Sequence, residues 1–193
     1  MGQAAGSRPR PRNLGNQRDD MGRPVAEVPT TLIPGAGISA GSGTYYSASV
    51  VREGNIIRTD INIDLTGLAS TTTDLDIIGT AGVCHIGQIT DAVNGRIMGG
   101  TMTCFEVPAT GADDIDLYAA VEGTGAYDGI VTDLTSDAAV ITAGGAWSLG
   151  EVQTFTADAI AADDYLYLTC GEAGTVGTYT AGRLHITMYG RVV

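Results

Sequence analysis

Residues 54–68 read GNIIRTDINIDLTGL, and their alternation decides the fold class. Ile57, Thr59, Ile61, Ile63 and Leu65 fall on one side of an extended chain, and Arg58, Asp60, Asn62 and Asp64 fall on the other. Successive side chains of a strand point to opposite faces, so a period of two with one apolar side marks a strand buried on one face only. A helix would scatter the same isoleucines around its circumference. The preceding YYSASVV (45–51) has strand composition, and Glu53, Gly54 and Asn55 supply turn chemistry between the two. A β-hairpin is predicted.

Outward from this hairpin the chain continues as short apolar runs bounded by Gly, Pro, Asp or Asn: LDIIG (75–79), VCHIGQIT (83–90), RIMGGTMTCFEVP (96–108), IDLYAAV (115–121), GIVTDL (129–134), EVQTFTA (151–157), DYLYLTCG (164–171) and GRLHITMYGRVV (182–193). In the last of these Leu184, Ile186 and Met188 alternate with His185, Thr187 and Tyr189, which predicts a strand paired inside a sheet rather than a loose tail. Many short strands at this spacing predict an all-β domain, a β-sandwich or a jelly-roll-like fold, over residues 45–193. DLYAAVEG and DLTSDAAVITAG also match a helical face; the β reading is kept for both. No internal repeat argues for a solenoid. A body of this size can bury roughly 70% of its unfolded surface. Its 28 glycines are about twice the usual share, which fits tight turns. An apolar content of 44% is too high for a disordered chain.

Residues 1–44 differ from this body. All ten basic residues of the chain are arginines, and Arg8, Arg10, Arg12, Arg18 and Arg23 lie in the first 23 residues. Only Asp19 and Asp20 oppose them, so this stretch carries +3, whereas the remaining 170 residues hold five arginines and twenty acids and carry −15. Pro9, Pro11, Pro24 and Pro29 impose extended, polyproline-like backbone. The expectation is an extended basic arm followed by a flexible hinge at PGAGISAGSGT (34–44). The glycine spacing of that stretch misses the dinucleotide pattern, and a P-loop needs a lysine, which this chain lacks.

A body at −15 repels polyanions, so no nucleic-acid or membrane partner is expected for it. Neither a signal peptide nor an apolar run long enough to span a bilayer is read from the sequence. The Met-Gly start lacks the Ser or Thr at position six that myristoylation requires.

Chemical motifs are sparse. Cys84, Cys104 and Cys170 form no CxxC pair and read as buried small hydrophobes. His85 and His185 sit in mid-strand; Cys84 beside His85 points to the opposite face, so the two cannot act as a dyad. Both histidines read as structural. Acid clusters at Asp74 and Asp76, at Asp113, Asp114 and Asp116, and at Asp163 and Asp164 read as solvated turns. Calcium at Asp113, Asp114 and Asp116 is the minority alternative, because the twelve-residue calcium loop is absent. Tyr45, Tyr46, Tyr165, Tyr167 and Tyr189 could line a sugar-binding surface, though strand tyrosines more often pack across strands. No catalytic residue, metal ligand or cofactor is assigned.

The run GNIIRTDINIDLTGL, together with DLDIIG, HIGQIT, GGTMTCFEVP, DIDLYAA, DYLYLTCG and YTAGRLHITMYG, resembles the small β-rich virion proteins encoded beside capsid genes in tailed bacteriophages, marine ones notably. The resemblance spans about residues 45–193. It implies a capsid decoration (cement) protein or a head fibre, commonly trimeric and without catalysis, made in the host cytoplasm and placed on the outer capsid surface. The implied partner is the major capsid protein. No family binding residue maps onto a numbered position; the capsid contact is assigned to the arm, through Arg8, Arg10, Arg12, Arg18 and Arg23. A head fibre or knob, or a host-recognition module that binds carbohydrate, is the alternative, and a hydrolase of unrecognised type is the third reading.

Overall fold

The computed structural model describes residues 32–39, 43–172 and 175–193. Eleven strands dominate its regular structure: β1 (Tyr45–Glu53), β2 (Ile56–Asp64), β3 (Ala69–Ser70), β4 (Gly87–Gln88), β5 (Arg96–Ala109), β6 (Ile115–Ala120), β7 (Ala138–Ile141), β8 (Val152–Thr156), β9 (Tyr165–Cys170), β10 (Gly177–Thr178) and β11 (Ala181–Arg191). They form a five-stranded sheet in the order β1-β2-β11-β5-β8, a four-stranded sheet in the order β4-β9-β6-β7, and a two-stranded pair of β10 and β3. Every named pairing is antiparallel. The domain is all-β and sandwich-like.

The opening hairpin forms as read. β1 and β2 pair from Tyr45 with Asp64 to Glu53 with Ile56, leaving Gly54 and Asn55 as a two-residue turn. Gly54 has a φ of +64°, as a tight hairpin turn with glycine in its first central place requires. The expected alternation holds along the whole of β2: Ile57, Thr59, Ile61 and Ile63 are buried while their neighbours are not. The last strand is internal, since β11 lies between β2 and β5 and buries Leu184, Ile186 and Met188 completely.

The core lies between the two larger sheets. The five-stranded sheet contributes Ile61, Ile63, Met102, Cys104, Leu184 and Ile186, and the four-stranded sheet contributes Ile115, Leu117, Ala119, Leu166, Leu168 and Cys170. The four-stranded sheet is buried on its second face as well, so all six residues of β6 are buried. The connection after β6 covers that face. The Tyr167 hydroxyl donates to the Glu122 carbonyl at 2.6 Å and accepts from the Gly125 amide at 3.3 Å. Full burial on both faces explains why IDLYAAV lacks clean alternation and could be matched to a helix.

Several expected strands are not strands. GIVTDL forms a single 3-10 turn, Val131–Asp133, with the Leu134 amide bonded to the Val131 carbonyl at 3.0 Å. Only Val131 there is deeply buried, and no neighbouring strand offers the run a continuous ladder. LDIIG and most of VCHIGQIT make isolated bridges, such as Ile77 to Thr169 and Val83 to Ala126, besides the two residues of β4. Part of the stretch expected to be a hinge is packed. Over Leu32–Ser39 the chain carries the short helix Ala36–Ser39, bonds the Gly35 amide to the His85 carbonyl at 2.8 Å and buries Leu32 and Ile38. The apolar side chains interspersed among its glycines give it something to bury, and the glycines let it lie close to the body.

Candidate functional site

The five-stranded sheet turns its outer side toward solvent. Cross-strand neighbours run over it in rows: Tyr45, Asp64, Arg183 and Glu106; then Ser47, Asn62, His185, Thr103 and Val152; then Ser49, Asp60, Thr187, Thr101 and Thr154; then Val51, Arg58, Tyr189, Gly99 and Thr156. Directly opposed residues share a face of a sheet, so side chains far apart in the chain become neighbours here.

Asp60 is the hub of this face. It accepts from Arg58 Nε at 2.8 Å and from the Thr187 hydroxyl at 2.9 Å, and His185 Nε2 stands 3.4 Å from it. The same His185 nitrogen lies 3.4 Å from the Thr187 oxygen. A nucleophilic triad needs the base to take the hydroxyl proton on one nitrogen while the acid holds the other. Here the threonine proton is committed to the carboxylate, and acid and hydroxyl meet the same ring nitrogen. The cluster therefore ties β2 to β11 instead of activating an oxygen. Phe105 stacks on the His185 ring, with centroids 5.6 Å apart.

Arg183 lies between Asp64 at 3.5 Å and Glu106 at 3.4 Å, on a side chain more than half exposed. Exposed pairs of this kind contribute about 0–1 kcal/mol each, so they set surface chemistry more than stability. Phe105, Val152, Tyr45 and Tyr189 stand out among these polar groups as exposed apolar side chains. The face is thus a mixed hydrogen-bonding and apolar surface. Its β1 edge adds to this. Among the described residues β1 pairs only with β2, so nine residues of strand present unpaired backbone groups along one side.

The expected contact arginines, Arg8, Arg10, Arg12, Arg18 and Arg23, lie outside the described residues. The five tyrosines considered for a sugar surface do not converge. Tyr45 and Tyr189 are exposed on the five-stranded sheet, Tyr46 turns inward and donates its hydroxyl to the Ile86 carbonyl at 2.6 Å, and Tyr165 and Tyr167 belong to β9. His85 packs edge-on against the Tyr165 ring at 4.9 Å; burial lowers its pKa, and its Nδ1 is buried without a hydrogen-bond partner. All three cysteines are free and buried, and burial raises each thiol pKa.

The acid clusters correct the expectation of solvated turns in part: Asp74 and Asp163 are exposed, but four other members are not. Asp76, Asp114, Asp116 and Asp164 are all at most 5% exposed. Asp76 is satisfied by the Thr71 hydroxyl, and one oxygen of Asp164 accepts from the Ala161 amide. Burial pushes the Asp116 carboxyl up to about 6. Burial, aided by Asp113 and Asp74, also raises that of Asp114. Among the described residues no three His, Cys, Asp or Glu side chains are disposed to hold a metal ion, and no helix is long and apolar enough to cross a membrane.

The pairing of β2 with β11 is what sequence reasoning missed. Asp60 and His185 were both legible as outward-facing, but 124 intervening residues hide that they meet. The chain matches no protein-family model and no curated protein, and no solved structure matches it.

Proposed function

We propose that the chain is a non-catalytic virion structural protein, a capsid decoration protein whose acidic β-sandwich sits on the outer shell while its arginine-bearing arm engages the major capsid protein. The observation that carries this reading is the division of charge. Five arginines within 23 residues give +3 to a proline-stiffened stretch, and the rest of the chain carries −15. An extended arm has its backbone groups free to add to a sheet edge or run in a groove. Arginine forks pair well with fixed carboxylates. The long edge of β1, unpaired among the described residues, suits closure against further copies, and a trimer is the proposed assembly. Arms shared among subunits of a shell gain from effective concentration, so modest contacts add up to firm attachment.

The test is binding to DNA-free capsid shells of the phage that carries the gene. The full chain is expected to coat the shell at many equivalent sites. A chain lacking residues 1–28 is expected to keep its fold by circular dichroism and to lose shell binding. Undiminished coating by the shortened chain would refute the assignment of the contact to Arg8, Arg10, Arg12, Arg18 and Arg23. Occupancy of one site per particle would favour a head fibre instead.

A further inference from the structure

Asp114 and Asp116 lie two residues apart at the start of β6 and project to the same side, and Asp116 stands directly opposite Thr169 of β9. Gly171 continues that side of the neighbouring chain. A Cβ built on Gly171 would fall 2.5 Å from Asp114 Oδ1 and 3.1 Å from Asp116 Oδ1, so the two carboxylate oxygens converge over backbone kept bare of a side chain. Asp114 is 5% exposed, and this converging Oδ1 has no hydrogen-bond partner. Thr169 is fully buried, and its hydroxyl has none either. Buried polar atoms are nearly always bonded, so two unbonded oxygens on one patch point to a missing partner.

The surrounding charge specifies what that partner is. Asp113 and Asp74 lie close enough to raise the Asp114 carboxyl further, and Glu172 stands beside Asp113. There is no arginine between Arg96 and Arg183, so the five described arginines all belong to the five-stranded sheet and none to this one. Among the described residues, no ion pair involves Asp74, Asp113, Asp114, Asp116 or Glu172. A neutral water would satisfy the oxygens but leave the repulsion. A cation answers both.

We propose that Asp114 and Asp116, with the Thr169 hydroxyl, bind a calcium ion whose remaining ligands are water. Calcium accepts six to eight oxygens in irregular arrangements, so two carboxylates and a hydroxyl suffice as the protein's share, whereas magnesium demands a near-ideal octahedron. The flanking Asp74 and Asp113 supply long-range attraction without having to coordinate.

Trp147 is a built-in reporter. It is the single tryptophan of the chain; its indole donates to the Ile115 carbonyl at 2.8 Å and its amide donates to the Asp113 carbonyl at 2.9 Å, so it is bonded to the backbone on both sides of Asp114. The experiment uses the full chain, stripped with EDTA and held near physiological salt, titrated with terbium while Trp147 is excited. Saturable sensitised terbium emission is expected, displaced by calcium at least about tenfold more effectively than by magnesium, together with a calcium-dependent rise in the unfolding midpoint. Asp114→Asn and Asp116→Asn keep side-chain shape and are each expected to weaken binding at least about tenfold and to abolish the calcium-dependent rise. Thr169→Val, which removes only the hydroxyl, should weaken it less. Asp163→Asn, in a separate acid cluster, should change neither. Absence of saturable emission, or equal losses from Asp163→Asn and Asp116→Asn, would overturn the proposal and leave only diffuse attraction to an acidic surface.

Discussion

The indole of Trp147, in the connection between β7 and β8, is bonded to the carbonyl of Ile115, the first residue of β6. The ring is 1% exposed. One side chain therefore holds a long glycine-bearing connection, Thr142 to Glu151, onto the strand that the core closes around. Trp147→Phe removes the donor, leaves a buried carbonyl short of a partner and opens a small void. A loss of about 2–4 kcal/mol is expected, read from urea unfolding followed by circular dichroism because the fluorescent reporter is gone.

Ile186 and Thr187 test the face assignment of β11 on adjacent residues. Ile186 is fully buried in a row with Ile61 and Met102, whereas Thr187 lies on the outer side and bonds Asp60. Ile186→Ala is expected to cost about 2–5 kcal/mol and Thr187→Ala about 1 kcal/mol or less, in the same denaturant assay. Removing residues 181–193 deletes the strand between β2 and β5, and no cooperative unfolding transition should survive it.

Asp116 makes stability depend on pH in an unusual direction. Its folded pKa, about 6, lies above the ordinary 3.8, so the folded chain holds a proton that the unfolded chain has released. The folded state is favoured most below pH 3.8, and this contribution is lost as pH rises through 6. Asp116→Asn keeps an oxygen to accept from the Ala143 amide, a bond of 2.7 Å, and removes the charge. Without divalent cations it is expected to be more stable than the parent at pH 8 by about 1–3 kcal/mol. At pH 4 the two chains should be nearly equal. His85 acts in the opposite sense: burial holds its pKa below 6.5, so stability falls as pH drops below 6.5. His85→Gln isolates that contribution.

Legibility followed how each residue is buried. β2 and β11 are buried on one face, so Ile61, Ile63, Leu184 and Ile186 announced their strands through strict alternation. β6 and β9 are covered on both faces, where Tyr167 and Thr169 are as buried as Leu166 and Leu168, and alternation vanishes. Val83–Gln88 bonds by turns to Gly35, Gly37, Gly125 and Leu166, a set of partners that no local pattern encodes. The acidic residues misled for a related reason. Asp114 and Asp116 have the composition of a turn, but Asp116 lies inside a strand whose second face is roofed by the connection that follows it. What makes them a candidate site is Thr169 and Gly171, which no spacing in the sequence ties to them.

The docking of Leu32–Ser39 provides the last prediction. The Gly37 amide donates to the Val83 carbonyl at 2.7 Å, the Thr80 amide donates to the Gly37 carbonyl at 2.8 Å, and Ile38 is completely buried. A Cβ on Gly37 would sit 2.4 Å from the Cys84 sulfur, so this segment is the immediate cover of that thiol. With the cover in place Cys84 is buried, its pKa is raised by burial, and it donates weakly to the Thr80 and Gly82 carbonyls at 3.3 Å. A chain beginning at residue 45 should therefore react at Cys84 with a thiol reagent many times faster than the full chain. Cys104 and Cys170, which lie elsewhere in the core, should stay protected. A chain beginning at residue 32 should keep all three thiols slow. Ile38→Ala in the full chain is expected to cost about 2–4 kcal/mol and to speed modification of Cys84 selectively, as mass spectrometry of the labelled peptides would show.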